Sequence, residues 1–193
     1  MTQPNPNPPS NPGPGAKVNP IPEGCEGIIP HLIVKGGTQA IEFYKKAFGA
    51  EEVMRIPSPD GRVMHAELRI GSSLVYLADD FPEMCGGKSR NPKSLGGTPG
   101  TVHRYVTDCD SVVKRAVEAG ATVSMPVQDM FWGDRYGVVE DPFGHSWSFA
   151  THKRDLTPEQ ISKAMAEAFS QAPPSKGPSQ ATPPSPPSPP RPS

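Results

Sequence analysis

The 193-residue chain has little of several things that would point directly to a function. Aromatic residues make up 7% of it, and its formal net charge is −1. A charge so near zero gives no reason to expect a nucleic acid or an anionic membrane as partner. The longest apolar runs are far too short to cross a bilayer. No Gly-rich phosphate loop, nucleophile elbow or zinc signature is present, so the familiar classes that carry those motifs are not indicated.

Cysteine is also scarce. The three cysteines, Cys25, Cys85 and Cys109, are an odd number without metal-ligand spacing, so we expect reduced thiols. The N-terminus lacks the basic start and apolar core of a signal peptide. Together these features predict a cytoplasmic protein.

Proline, in contrast, is abundant and unevenly placed. Residues 1–24 and 172–193 hold eight and ten of the 27 prolines, and we expect both tails to be disordered because they bury too little apolar surface to offset ordering entropy. Between them we predict one domain at residues 25–152 and a C-terminal helix within 153–171. The domain divides into a first module (25–82), a connector (83–98) and a second module (99–152).

The first module has the pattern of a β-α-β-β-β unit. Strands are predicted at 25–34, 52–56, 62–70 and 74–78, with a helix that Thr38 caps and Gly49 ends. In the third strand one face is apolar and predicted to be core: Met64, Ala66, Leu68 and Ile70. The other face is more polar: Val63, His65, Glu67 and Arg69.

The second module repeats this order about seventy residues later. Strands are predicted at 101–106, 122–126, 135–139 and 146–150, and a helix capped by Asp108 or Asp110 ends at Gly120. The fold class is therefore α+β, with duplicated βαβββ modules whose curved mixed sheet surrounds a pocket. A capping box at Thr157 and Gln160 starts the final helix, whose apolar stripe we expect to dock on its own domain, with a subunit interface as the alternative.

The last two strands form a hairpin that indicates where function lies. Asp141-Pro142-Phe143-Gly144 has turn chemistry, and in the strand that follows, Trp147 and Phe149 share one face. We expect that heavy face to be core. The light face, with Ser148 and Ala150, is expected to line a space.

Several multi-residue motifs resemble one family. HLIV followed by AIEFYKKAFGAEEV, then PDGRVMHAELRIG, MFWGDRYG and EDPFGHSWSFATH, are similar to the vicinal oxygen chelate superfamily. That superfamily includes glyoxalase I, extradiol dioxygenases and bleomycin-resistance proteins, and the PhnB-like subgroup is the best match. The resemblance covers about residues 26–152 and implies paired βαβββ modules around a pocket, often in homodimers.

Metal-dependent members of this superfamily bind the metal through the first and fourth strands of each module, usually with His or Gln and then Glu. The corresponding positions here are Ile29, Tyr76, Thr101 and Ser148. None is a good ligand for a divalent transition metal, which needs imidazole, carboxylate or thiolate. We therefore expect neither a metal nor another cofactor.

Histidines lie near those positions. His31 and His103 follow two residues after Ile29 and Thr101, so strand parity puts both on the pocket face. They are either half-buried structural histidines, polar ligand-binding groups or a displaced metal site. His65 and Glu67 share one strand face and are candidates for a general acid/base pair, or for an ordinary polar pair.

Aromatic residues complete the candidate site. Tyr76 and Tyr105 have pocket-facing parity, and Trp132 is expected to form a pocket wall. Arg135 and Asp134 stand beside Trp132 and either bind a ligand or satisfy backbone groups in a corner.

The function that these residues favour is metal-independent binding of a small organic or aromatic molecule by a homodimer. The alternative is a glyoxalase-type lyase, isomerase or dioxygenase that uses a relocated metal site or His65 and Glu67. A third possibility is a structural or partner-binding module that assembles through the final helix.

Overall fold

The computed structural model describes residues 19–171, so the predictions for residues 1–18 and 172–193 lie outside the described residues. The first module contains β1 (His31–Val34), α1 (Gly37–Phe48), β2 (Glu51–Pro57), β3 (Val63–Ile70) and β4 (Ser73–Asp79). The connector holds a 3-10 turn (Pro82–Met84) and the one-turn helix α2 (Pro92–Leu95). The second module contains β5 (Thr101–Tyr105), α3 (Cys109–Glu118), β6 (Thr122–Asp129), β7 (Asp134–Glu140) and β8 (Ser146–His152), and α4 (Pro158–Gln171) follows.

The strand pairing confirms the duplication. One sheet has the order β1-β4-β3-β2 and the other β5-β8-β7-β6. In each sheet the first and last strands of the module run parallel and the other pairs antiparallel. The α+β class with paired βαβββ modules is thus confirmed, as two separate four-stranded mixed sheets, neither of them closed.

The prediction that Thr38 caps α1 is wrong. The N-cap is Gly36, in a left-handed conformation with φ of 95°, and glycine has no side chain that could accept a hydrogen bond from the helix N–H groups. Instead, Asp79 at the end of β4 accepts hydrogen bonds from the N–H groups of Gly36 (2.8 Å) and Gly37 (2.9 Å), and from Val63 N–H (2.8 Å). A Cβ on Gly37 would lie 2.7 Å from that carboxylate, so the close approach requires glycine here.

In the second module a side-chain hydroxyl, rather than a carboxylate, accepts a hydrogen bond at the start of the helix. Thr151, near the end of β8, accepts from Cys109 N–H at 2.9 Å. In addition, Asp108 is the N-cap of α3 and accepts from Ser111 N–H at 3.1 Å, which decides between the two predicted caps. A strand end therefore holds the start of each helix in place.

Two strand predictions need correction. β1 begins at His31 rather than residue 25; before it, the Pro30 carbonyl still accepts from Tyr76 N–H at 2.8 Å, but proline has no N–H of its own to extend the ladder. In β3 it is Val63 that is buried and Met64 that is half-buried, the reverse of the predicted alternation. The cause is a register shift opposite Ile56 and Pro57, which changes the sheet face on which the first side chains of β3 lie.

The apolar core joins the two modules. Trp147 and Phe149 are buried, as predicted, with 1% and 0% of their surface exposed. Rings from α1 pack on them: Tyr44 and Phe48 lie 5.4 Å and 4.7 Å from Trp147 between ring centroids. The first helix of one module is thus part of the core of the other.

A buried carboxylate reinforces this contact. Asp141, in the β7–β8 turn, is 2% exposed and accepts from the Tyr44 hydroxyl at 2.6 Å and from Trp147 Nε1–H at 3.0 Å. The N–H groups of Phe143 and His145 donate to its other oxygen, both at 2.9 Å. The His145 ring reaches back to the Ile33 carbonyl at 3.0 Å. The turn is therefore fixed both to its own strand and to the first module.

The final helix differs from expectation. The capping box is confirmed, with Gln160 Oε1 accepting from Thr157 N–H at 2.8 Å and Thr157 Oγ1 from Gln160 N–H at 3.3 Å. Its apolar stripe, however, is not covered by the domain of its own chain, because Met165 is 43% and Phe169 70% exposed. No helix within residues 19–171 combines the length and apolar character that a membrane span requires.

Replacing Tyr44 with Phe tests the inter-module contact. The change removes one donor from a buried carboxylate, and we expect it to lower the free energy of unfolding by about 1–3 kcal/mol, measured by urea denaturation. Tyr136→Phe is the matched control, because within residues 19–171 its hydroxyl makes no hydrogen bond; its effect should stay within about 0.5 kcal/mol. Equal losses for the two variants would contradict the assigned role of Asp141.

Candidate functional site

All the predicted site residues except Arg135 lie in two clusters, one on the face of each sheet that does not pack on the helices. The first cluster comprises His31, His65, Glu67 and Tyr76. The second cluster comprises His103, Tyr105, Trp132, Asp134, Tyr136 and His152. Strand register places them equivalently, since His31 is paired with Tyr76 in one sheet and His103 with Ser148 in the other.

In the first cluster three rings meet edge to face. The centroids of His65 and Tyr76 are 4.8 Å apart, and His31 lies 6.2 Å from each. His65 Nε2 is 3.5 Å from Glu67 Oε1, which is long for a hydrogen bond. The pair therefore shares a face as predicted, but it is only loosely associated.

The electrostatics of this cluster favour neutral groups. Burial lowers the pKa of His31, and the nearby positive groups of His65 and Arg90 lower it further. A hydrogen bond with Cys25, at 3.8 Å between Sγ and the hydroxyl, raises the pKa of Tyr76. Near pH 7 both His31 and Tyr76 therefore act as uncharged hydrogen-bonding groups.

The second cluster is organised around one carboxylate. Asp134, only 5% exposed, accepts from the Tyr105 hydroxyl at 2.9 Å and from Trp132 Nε1–H at 3.1 Å, while His152 Nδ1 donates to its other oxygen at 2.7 Å. Burial opposes the ionisation of Asp134, but the hydrogen bonds from His152 and Tyr105 outweigh burial and lower its pKa. A buried negative charge thus fixes two aromatic side chains.

The rings of this cluster form a continuous surface. The Tyr136 ring lies 5.7 Å from Trp132 and is stacked with His103 at 6.1 Å, and His103 meets Tyr105 edge to face at 5.0 Å. Beneath them, the small residues of β8 are covered: Ser148 is 2% and Ala150 0% exposed. The light face of the hairpin is therefore the floor on which the rings lie.

His152 has a distinctive position in the cluster. Its Nδ1 faces Asp134, and its Nε2 lies 2.9 Å from Asp155 Oδ1. Ionised carboxylates only accept, so both contacts are hydrogen bonds only when the ring is protonated on both nitrogens. Hydrogen bonds to Asp155 and then Asp134 accordingly raise its pKa. The imidazolium connects the buried charge to the segment leading into α4.

Arg135 lies apart from both clusters. It faces the helix side of β7, where it forms ion pairs with Asp110 on α3 and, at 3.2 Å, with Asp129. Alternation along β7 explains this, because Asp134 and Tyr136 share the opposite face. Sequence reasoning omitted Tyr136 and His152 from the site, although the same alternation, counted from Trp147 through the hairpin, places both on the light face.

The positions that hold metal in related enzymes do not fit a divalent cation here. Ile29 precedes β1 and has no donor atom; Thr101 Oγ1 is bonded to Ser146 at 3.1 Å, and Ser148 Oγ to His103 Nδ1 at 2.8 Å. Within residues 19–171, no group of three or more His, Cys, Asp or Glu side chains is placed to hold a metal ion. The donor set thus offers no chelate at these positions.

Some of the predicted site residues line cavities. One of about 420 Å³ lies where the modules meet and is lined by His103 and Tyr105 together with Ile28, Pro30 and the β3–β4 turn. Another of about 320 Å³ borders Asp134 and Arg135 beside the segment that follows β8. Each of these two cavities is thus lined by predicted residues of the second module.

Comparison with known proteins agrees with this architecture. The model of the Glyoxalase/Bleomycin resistance protein/Dioxygenase superfamily matches residues 28–149, nearly the whole of both modules.

Relatives cover the same region. An uncharacterized protein of Mycobacterium bovis is 54% identical over 139 residues, which is 72% of this chain and 91% of the relative. The X-ray structure of an Arabidopsis thaliana gene product is 30% identical with a TM-score of 0.52, covering 64% of this chain and 97% of that one. The crystal structure of TioX from Micromonospora sp. ML1 is 27% identical with a TM-score of 0.50, covering 68% and 99%.

The His152 contacts predict a pH-dependent contribution to stability. A raised folded-state pKa means that the contribution is complete below the ordinary pKa of about 6.5 and is lost as the pH rises through the folded-state value. The difference in unfolding free energy between the native protein and His152→Gln should therefore be larger near about pH 6 than near about pH 9.

The control for this prediction is an Asp155→Asn background, in which the same comparison should change less with pH. A difference that is constant, or that grows with pH, would show that the contacts with Asp134 and Asp155 do not stabilise the imidazolium.

The donor set also predicts that protein purified without a histidine tag holds no stoichiometric transition metal. Elemental analysis checks this directly. Stoichiometric zinc, iron, nickel or manganese that is lost in His31→Ala or His103→Ala would contradict the prediction and place a metal site at one of these histidines.

Proposed function

The chain belongs to the Glyoxalase/Bleomycin resistance protein/Dioxygenase superfamily, and we propose that it binds a small, planar organic molecule without using a metal. The proposed binding surface is the second cluster. The observation that carries the proposal is the set of aromatic side chains that the buried Asp134 carboxylate holds on an otherwise small-residue sheet face.

Preorganisation supports this proposal. Asp134 bonds the polar ends of Tyr105 and Trp132, so their ring faces are left to contact a ligand. Tyr105 remains 59% exposed, although the Asp134 contact holds it in one place. A ring that is already held loses little conformational freedom on binding, which favours affinity.

Charge balance favours a neutral ligand over a cation. The negative charge of Asp134 is already compensated by the His152 imidazolium at 2.7 Å. His103 bonds Ser148 through Nδ1, and no side chain or backbone group within residues 19–171 occupies its Nε2. One ring nitrogen is therefore available to orient a polar substituent on a stacked ligand.

An enzyme remains the second candidate, because His65 and Glu67 do share a sheet face. Their separation of 3.5 Å would have to shorten for Glu67 to orient the imidazole, and catalytic contacts often tighten only when substrate binds. In that case the chemistry would be proton transfer on the first cluster. We rank it below binding since the 3.5 Å contact between His65 and Glu67 is too long to fix the orientation of the imidazole.

Three further features belong to the proposal. The exposed apolar residues of α4 support a homodimer, or attachment of another protein, through that helix. The free thiols of all three cysteines, each within the described residues, are compatible with a reducing cytoplasm. Assignment to the PhnB-like subgroup rests on the sequence motifs.

The two tryptophans offer a direct test. A planar aromatic ligand that stacks on the second cluster should quench Trp132 fluorescence, while the buried Trp147 responds little. Trp132→Phe keeps a ring but loses the indole N–H and some area, so binding should weaken by about 0.5–1.5 kcal/mol, measured by titration calorimetry.

Stability provides the control. Trp132→Phe should leave the fold intact, whereas Trp147→Ala should cost about 3–5 kcal/mol through lost core packing. The reverse pattern, in which the ligand quenches Trp147 and Trp132→Phe unfolds the domain, would show that the ligand binds on the opposite face of the sheet from the one proposed.

A further inference from the structure

A cavity of about 700 Å³ lies away from both clusters, where several loops of the first module meet the connector. Its lining comes from the β1–α1 junction, the turn before β3, the end of β4 and the connector, and includes the charged side chains of Lys35, Asp60, Arg62, Asp79 and Asp80. Its volume is within the range of small-molecule sites, and most of its lining residues are polar or charged.

One lining group has an unmet bonding requirement. Asp80 is 9% exposed, and its Oδ2 accepts from Ser89 Oγ at 2.5 Å, from Asn91 Nδ2 at 2.7 Å and from the N–H groups of Arg90 and Asn91 at 3.0 and 3.3 Å. Its Oδ1 is also buried but accepts from no group in residues 19–171. A buried carboxylate oxygen without a donor is unfavourable, so a donor brought by a ligand would be stabilised there.

Asp80 is charged in this position. Burial opposes its ionisation, but the hydrogen bonds from Ser89 and Asn91 lower its pKa to about 2. The matching ligand group is therefore a cationic donor rather than a neutral one.

The other charges of the lining are mostly engaged. Asp79 is occupied by three N–H groups at the start of α1 and β3, and Asp60 pairs with Arg62 at 2.7 Å. Arg62 also pairs with Glu83 and donates to the Asp80 carbonyl at 3.0 Å. A divalent cation would lack the several free oxygens it needs.

Lys35 is the exception among the cations of the lining. Within the described part of the chain it takes part in no ion pair. The cavity thus offers one anionic acceptor and one cation that the protein itself leaves unmatched.

We propose that this cavity binds a small zwitterionic amine, whose ammonium group donates to Oδ1 of Asp80 and whose anionic group faces Lys35. The site is independent of the proposed aromatic surface, because none of the residues in the two clusters lines this cavity.

The test is a titration of the full chain, labelled with ¹⁵N, with β-alanine as probe. We expect saturable amide shifts at Gly36, Gly37 and Asn91 in the millimolar range typical of so small a ligand. N,N,N-trimethyl-β-alanine keeps both charges but has no N–H to donate and should not saturate these shifts. Acetate and ethylammonium, which carry one charge each, should bind more weakly than β-alanine.

Variants locate the two ends of the probe. Lys35→Gln should weaken β-alanine binding by about three- to fivefold, the size of an exposed ion pair, and Lys88→Gln, outside the lining, should not change it. Asp80→Asn should abolish saturable binding of β-alanine. The amide spectrum of this variant shows whether the connector still folds. If the connector does not fold, the comparison of Lys35→Gln with Lys88→Gln tests the proposal instead.

The proposal is overturned if β-alanine produces no saturable shifts, if the trimethyl compound binds as well, or if Lys35→Gln and Lys88→Gln behave alike. None of these outcomes bears on the proposed aromatic binding surface, because binding there is measured separately through Trp132 fluorescence.

Discussion

The arrangement of the two modules depends on the buried carboxylate of Asp141. It accepts hydrogen bonds from the Tyr44 hydroxyl on α1 of the first module and from the Trp147 indole N–H on β8 of the second. Two backbone N–H groups of its own turn also donate to it. Burial, and then the negative charge of Asp141, raises the pKa of Tyr44 well above its ordinary value, so this hydroxyl stays protonated and remains a donor. A buried carboxylate is tolerated because every donor it needs is supplied by the fold.

This constraint extends to the candidate site. The turn that holds Asp141 also starts β8, and the bond to Trp147 fixes which face of β8 is buried. With Trp147 and Phe149 in the core, alternation places Ser148, Ala150 and His152 on the other face, beneath and beside the aromatic rings. A second carboxylate, Asp134, then orders the rings.

Much of the fold follows from local patterns in the sequence. The repeated βαβββ order, the hairpin turn, the α4 capping box and the burial of Trp147 all depend on short-range periodicity or turn chemistry, and each is present in the structure.

The errors concern contacts between residues distant in sequence. Asp79 caps α1 from 42 residues away, a register shift exchanges Val63 with Met64, and α3 supplies the partner of Arg135. No periodicity within one segment records such contacts. The contact between Asp134 and His152 likewise forms only after β7 and β8 have paired, although strand alternation alone places Tyr136 and His152 on that face.

The claim that the second cluster is the ligand-binding surface is tested most directly by intermolecular nuclear Overhauser effects in a complex with a planar aromatic ligand. We expect contacts from the ligand to the ring protons of Trp132, Tyr136 and His103, and none to His31 or Tyr76. Contacts confined to the rings of the first sheet, with the second-sheet rings silent, would contradict it.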